Sequence, residues 1–280
     1  MFSSLFSKSR KKPLRLVVGV NQVDKMCING WNERLNLPTE EAEVEIKRRS
    51  TDVIKKLTSI SKILPEQLEY YSALKRYRLI PLLSKIIRNA YAGFKFDHIQ
   101  PAGSFDLADP DVKEFYEQEL NKRTNKENGH SAKDKLFYAM QQILSAEEFK
   151  QIQKSFQEEN SRPPKVAILG KTGVGKTTTI NSVFNAKWKT SHTIVGTTKA
   201  QMKEFELING GSLTIVDLPG YGRSIAEDRE YEKIYQDMIP SCDLVLLVVQ
   251  ANSKDLADDQ EMILKITEWL KSAPQPLRLT

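Results

Sequence analysis

Lys165-Val166-Ala167-Ile168-Leu169-Gly170-Lys171-Thr172-Gly173-Val174-Gly175-Lys176-Thr177 decides how the rest of the chain is read. A short apolar run enters a glycine-rich loop, and the pattern predicts a helix starting near Lys176. Glycines there let successive backbone N–H groups wrap phosphates without a Cβ in the way. Lys176 supplies a point charge to the β and γ phosphates, the Thr177 hydroxyl suits Mg²⁺, and the helix N-terminus adds its dipole. Gly170, Thr172, Gly173, Val174, Gly175, Lys176, Thr177 and Thr178 are the expected phosphate cradle. The stretch predicts binding of a nucleoside triphosphate with Mg²⁺.

Outward from this loop, the second half alternates strands and helices. Ser212–Val216 and Asp243–Val249 are continuous apolar runs of the kind that central parallel strands show. Gln201–Ile208 alternates polar and apolar residues, as a half-exposed strand would, and Asp259–Leu270 places Met262, Ile263, Ile266 and Leu270 on one helical face. The first ninety residues repeat the theme. Leu14–Val20 reads as a buried strand ending on Asn21-Gln22-Val23-Asp24. A helix capped by Thr39 follows, then a strand over Leu68–Leu74 and an amphipathic helix over Ile80–Tyr91. Such a series implies an α/β fold with a doubly wound, mainly parallel sheet. Four regions are expected: a basic leader at 1–12, disordered; the back half of the sheet domain at 13–91; an inserted helical segment or linker at 92–163; and the front half at 164–280. Within the insert, Asp111–Arg123 and Lys135–Glu158 have helical pattern, the latter with a Ser145/Glu148 capping box where it restarts.

The 280 residues are 40% apolar and 28% charged, which suits a globular chain with a proper core. Cys27 and Cys242 have no metal-ligand spacing and cannot form a disulfide framework, so a reducing cytoplasm is expected. No apolar run approaches the roughly 20 residues that span a bilayer. The net charge of +6 admits contact with RNA, a ribosome or an anionic membrane and demands none of them. Phe2, Leu5 and Phe6 followed by Lys8, Arg10, Lys11 and Lys12 lack the form of a secretory signal. Peripheral membrane contact through these residues is the alternative to a purely cytoplasmic location.

Asp217-Leu218-Pro219-Gly220 ends the Ser212–Val216 strand. There an aspartate can hold Mg²⁺ through water and the Gly220 N–H can sense a γ-phosphate. Between the two motifs lies Gly196-Thr197-Thr198, where Thr198 is favoured over Thr197 to close over the metal and the γ-phosphate. His192 reads as a solvated loop residue, while His98 and His130 sit in the helical insert without an evident partner.

Together these motifs resemble the GTPase G domain of the translation-factor-related class, specifically its Era-like branch, over about residues 13–91 and 165–273. The resemblance implies GTP or GDP with Mg²⁺ as ligands. It makes Lys176, Thr198 and Gly220 the catalytic candidates and Thr177, Thr198 and Asp217 the metal-holding ones. Asn21-Gln22-Val23-Asp24 looks like the guanine-reading N-K-x-D motif with Gln for Lys. Asp24 would accept from guanine N1–H and the 2-amino group, Asn21 would bridge base and phosphate loop, and Gln22 would cover the base face. Ser72-Ala73 matches the last family motif, a backbone N–H toward the guanine oxygen. Two departures bear on mechanism. Tyr221 stands where many relatives place a water-orienting glutamine, which implies slow intrinsic turnover or a catalytic group from elsewhere. Gly173 stands where some place a potassium-binding asparagine, so potassium activation is not expected.

The motif order is unusual: the guanine-reading residues precede the phosphate loop. Either the domain is circularly permuted, with residues 92–163 bridging the old ends, or the chain joins the back half of one G domain to the front half of the next. Pro13-Leu14-Arg15-Leu16 and its echo Pro276-Leu277-Arg278-Leu279 fit a tandem array or a cut and rejoined gene. One set of parts predicts one composite site, closed within a chain or by exchange between two. A GTP-driven switch is the leading function. A guanine-nucleotide-binding module with little hydrolysis is the alternative, and an ATPase follows only if Asn21–Asp24 never reach the base. The expected partners beyond the nucleotide are a ribosome or RNA, a membrane surface, and a second copy through the nucleotide face.

Overall fold

The computed structural model describes residues 15–27, 29–60, 63–90, 101–125, 139–150, 163–185, 200–206, 212–222 and 224–272. In chain order the main elements are β1 (Leu16–Asn21), α1 (Glu40–Ile60), β2 (Leu68–Tyr70), α2 (Leu79–Asn89) and α3 (Pro110–Asn125). Then come β3 (Lys165–Leu169), α4 (Lys176–Phe184), β4 (Gln201–Glu206), β5 (Ser212–Asp217), α5 (Ile225–Met238), β6 (Leu244–Gln250) and α6 (Ala257–Ser272).

The six strands form one sheet in the order β2-β1-β6-β3-β5-β4. Every pairing is parallel except β4 on β5, at the edge. β6 is central: Leu246 lies opposite Val17 of β1 on one side and Ile168 of β3 on the other. Strands β1 and β2 therefore come first in the chain yet extend the sheet outward from β6, beside the strand that carries the phosphate loop.

Helices cover both faces, which is why the central strands read as unbroken apolar runs. Val245, Leu247 and Val249 pack with Leu16, Val18 and Val20 into one core, which includes residues of α1, α5 and α6. Leu244, Leu246 and Val248 face the other core, with residues of α2 and α4. Each of these β6 side chains is fully buried, a contribution of roughly 2 kcal/mol apiece from apolar surface removed from water.

The inserted segment is packed onto this body where it is described. Met140 and Phe149 belong to the second core. Helical residues at 139–143 and 146–150 flank Ser145, whose hydroxyl accepts from the Glu148 N–H while the Ser145 N–H donates to the Glu148 carboxylate. This is the expected capping box. Asn36 donates to the carbonyls of Lys75 and Ser104, both at 2.8 Å, tying the segment to the loop after β1.

One strand is shorter than its sequence suggests. β2 stops at Tyr70, because Ser72 pairs antiparallel with Tyr77 across a tight turn in which Arg76 has positive φ. The leader at 1–12, the echo at 276–279, Gly196–Thr198 and the three histidines lie outside the described residues.

Candidate nucleotide-binding site

The phosphate loop leaves β3 and closes on the first turn of α4. Gly170 has φ +152°, and a Cβ there would lie 2.3 Å from the Val248 carbonyl oxygen, so glycine is required. Gly175, at φ +92°, is the N-cap of α4. The Lys176 ammonium curls back to the carbonyls of Gly170 (2.9 Å) and Lys171 (3.2 Å), placing its charge over the loop. Thr172 and Gly173 are exposed, Thr177 and Thr178 half-buried on the first turn, and the Val174 side chain is buried in the second core. Asp217, 9% exposed, ends β5 opposite Ile168, beside the start of this loop. Thr198, the remaining metal candidate, lies outside the described residues.

The guanine-motif residues meet this loop from the neighbouring strand. Asn21, buried at the end of β1, donates to the Val174 carbonyl at 2.8 Å and accepts from the Ala73 N–H at 2.9 Å. A Cβ on Gly175 would lie 2.5 Å from its amide nitrogen, so Asn21 and the loop touch at a point that admits no side chain. Gln22 adopts left-handed backbone, φ 68°, and donates to the Gly173 carbonyl at 2.9 Å, while its own amide oxygen accepts from Lys25 at 3.1 Å. The Asp24 Oδ1 atom is buried with no hydrogen-bond partner among the described residues. A buried acceptor left unsatisfied costs about 1–3 kcal/mol, which a ligand N–H would recover. The donors of a guanine edge suit it.

The Ser72-Ala73 turn differs from its sequence reading in detail. The Ser72 N–H donates to Tyr77 O (3.1 Å) and the Ala73 N–H to Asn21, so both amides are engaged within the protein. This turn orients Asn21. Sequence reasoning also missed three residues that fasten it to α4. Ser182 donates to the Ala73 carbonyl at 2.8 Å, and the Tyr71 and Thr179 hydroxyls meet at 2.8 Å in the interior. Nothing in their spacing marks them, since each looks like an ordinary core-edge residue.

The loop after β5 is held as closely. The Leu218 N–H donates to Ile168 O at 3.2 Å, and Tyr235 of α5 donates to the Pro219 carbonyl at 2.7 Å. Tyr221 is 3% exposed and its hydroxyl donates to Asp259 of α6 at 2.6 Å. Burial raises the Tyr221 pKa well above the ordinary range, and nearby Asp259 adds to it, so this phenol is a donor. Burial likewise raises Asp259, against the opposing hydrogen bond from Tyr221 and the charge of Lys171. Lys171 spans Asp258 (3.0 Å) and Asp259 (3.5 Å). Burial pulls its ammonium down, but the two carboxylates outweigh that and raise its pKa.

Residues 165–278 match the family described as 50S ribosome-binding GTPase. The uncharacterised protein YfjP of Escherichia coli is 34% identical over 97 residues, 35% of this chain and 34% of the relative. GTPase Der of Pseudothermotoga lettingae is 33% identical over 104 residues, 35% of this chain and 24% of Der. The tRNA modification GTPase MnmE of Clostridioides difficile is 25% identical over 260 residues, 92% of this chain and 48% of MnmE. The chain thus spans about a third of YfjP, a quarter of Der and half of MnmE. Over residues 165–278 the chain is thus similar to P-loop GTPase domains, and its α/β fold agrees with that likeness.

Proposed function

We propose that the chain is a GTP-driven switch of Era-like type whose single site is closed within one chain by motifs in circularly permuted order. Asn21 carries this reading: its side chain joins Val174 of the phosphate loop, 153 residues away in sequence, to Ala73 of the last family motif. Residues 13–91 and 164–280 then make one G domain, and 92–163 connects its old ends. Asp24 takes the guanine N1–H and 2-amino group. Gly170, Thr172, Gly173, Val174 and Gly175 cradle the phosphates, Lys176 neutralises the outer two, and the Gly220 N–H reads the γ-phosphate. Thr177, Asp217 and, from the first switch, Thr198 offer hard oxygen donors that would hold Mg²⁺, which would supply charge neutralisation at the phosphates. Loss of the γ-phosphate releases the loops at 190–200 and 217–230, and a partner reads the difference.

Competition binding tests this. GTP should displace a labelled guanine nucleotide while ATP does not, and Asp24→Asn should shift preference toward xanthine nucleotides. Equal displacement by ATP sinks the assignment of Asp24.

A second reading, a guanine-nucleotide-binding module with little hydrolysis, is favoured by Tyr221, whose hydroxyl is committed to Asp259. Slow unaided turnover follows from either reading. Single-turnover phosphate release, alone and with ribosomal subunits or RNA, separates them. The mild basicity and the ribosome and tRNA in the relatives' descriptions support an RNA-bearing partner. A second copy across the nucleotide face is the other source of a catalytic group, and contact of residues 1–12 with a membrane the third association to test. The proposed location is cytoplasmic.

A further inference from the structure

Gly220 is held against the phosphate loop by more than its own backbone. A Cβ on it would lie 2.9 Å from Thr172 Oγ1 and 3.1 Å from the Thr172 nitrogen, so the two loops are in direct contact. The next residue, Tyr221, leaves the site altogether and is fixed by Asp259, which is 1% exposed at the start of α6. Asp259 in turn pairs with Lys171, a residue of the phosphate loop. The Gly222 N–H donates to the Asp228 carboxylate at 3.0 Å. The ring Thr172–Gly220–Tyr221–Asp259–Lys171 is closed, beginning and ending on the phosphate loop.

We propose that Asp259 and Tyr221 are positioning residues for γ-phosphate recognition: through this ring they hold the Gly220 amide at the phosphate loop before nucleotide arrives. The proposal rests on the guanine-site reading above. It differs from a general stabilising role in what it selects. GTP reaches Gly220 through its third phosphate, whereas GDP stops short of it. Preorganising the amide therefore strengthens GTP binding and leaves GDP binding alone, because the ordering cost is met before the ligand binds. The hydroxyl of Tyr221 is an anchor here, not a water-orienting group.

Tyr221→Phe removes the bond to Asp259, while Asp259→Asn weakens that bond and the ion pair with Lys171, both with the packing kept. Both should lower the affinity for a non-hydrolysable GTP analogue about 5- to 20-fold, the worth of about one charge-assisted buried hydrogen bond, while affinity for GDP stays within about 2-fold. The double variant should lose less than the sum of the two single losses, since both act on the Tyr221–Asp259 bond. Equal losses for the analogue and GDP, or no loss in Tyr221→Phe, would overturn the proposal. Wild-type protein that binds neither nucleotide overturns the guanine-site reading instead. Should Asp259→Asn fail to fold, Tyr221→Phe alone carries the comparison.

Discussion

Gly170–Thr177 takes its shape from the backbone, with glycines at positive φ and a lysine folded onto the loop's own carbonyls. Asn21–Asp24 takes its shape from side chains that reach other segments: Asn21 to Val174 and Ala73, Gln22 to Gly173. The first region needs only its own sequence to form its concavity. The second exists only once β1 has entered the sheet beside β6. A backbone-built cradle tolerates the loss of a side chain it carries, such as that of Lys176, without unfolding, whereas a side-chain-built brace ties ligand binding to stability.

Lys176→Ala tests the first side of that contrast and should have the largest effect on binding. Titration calorimetry should show triphosphate affinity reduced on the order of 100-fold or more, as expected on removing a charge-assisted donor to phosphate, with thermal stability nearly unchanged. A large drop in melting temperature would erase the distinction. Asn21→Ala should lose on both counts. It strands the Val174 carbonyl and the Ala73 N–H, costing about 3 kcal/mol, or roughly 6–12 °C in a chain of this size, and it weakens guanine nucleotide about tenfold. Thermal unfolding monitored beside nucleotide titration checks both numbers. If only affinity falls, the brace is not structural. Gln22→Ala should have the smallest effect. Its bond to Gly173 is exposed, so affinity should fall about 2- to 5-fold with no shift in stability, and Gln22→Lys should restore it.

The same contrast explains what could be read from sequence. Lys165–Leu169, the glycine loop and the start of α4 at Lys176 are legible because period, composition and helix initiation are local properties. The apolar runs of β5 and β6 are legible because burial on both faces removes alternation. Asn21–Asp24 is recognisable only through its resemblance to a family motif, since its contacts lie some 150 residues away. The end of β2 was overrun because Tyr71–Leu74 continues the apolar character, while the Ser72–Tyr77 pairing that stops the strand is set by the turn. Asp259 was hidden for another reason. An acidic residue in a first helical turn ordinarily answers the helix dipole, so nothing marks this one as the anchor of Tyr221.

The position of β1 has a consequence for how the chain is made. β1 lies between β2 and β6, and Val17 pairs with Leu246, which the ribosome delivers about 230 residues later. At roughly 5–20 residues per second, that strand waits on the order of 10–50 s for its partner. For this interval its mostly apolar sequence has one ladder edge open, so a nascent chain of this design should depend on chaperone protection more than one synthesised phosphate loop first.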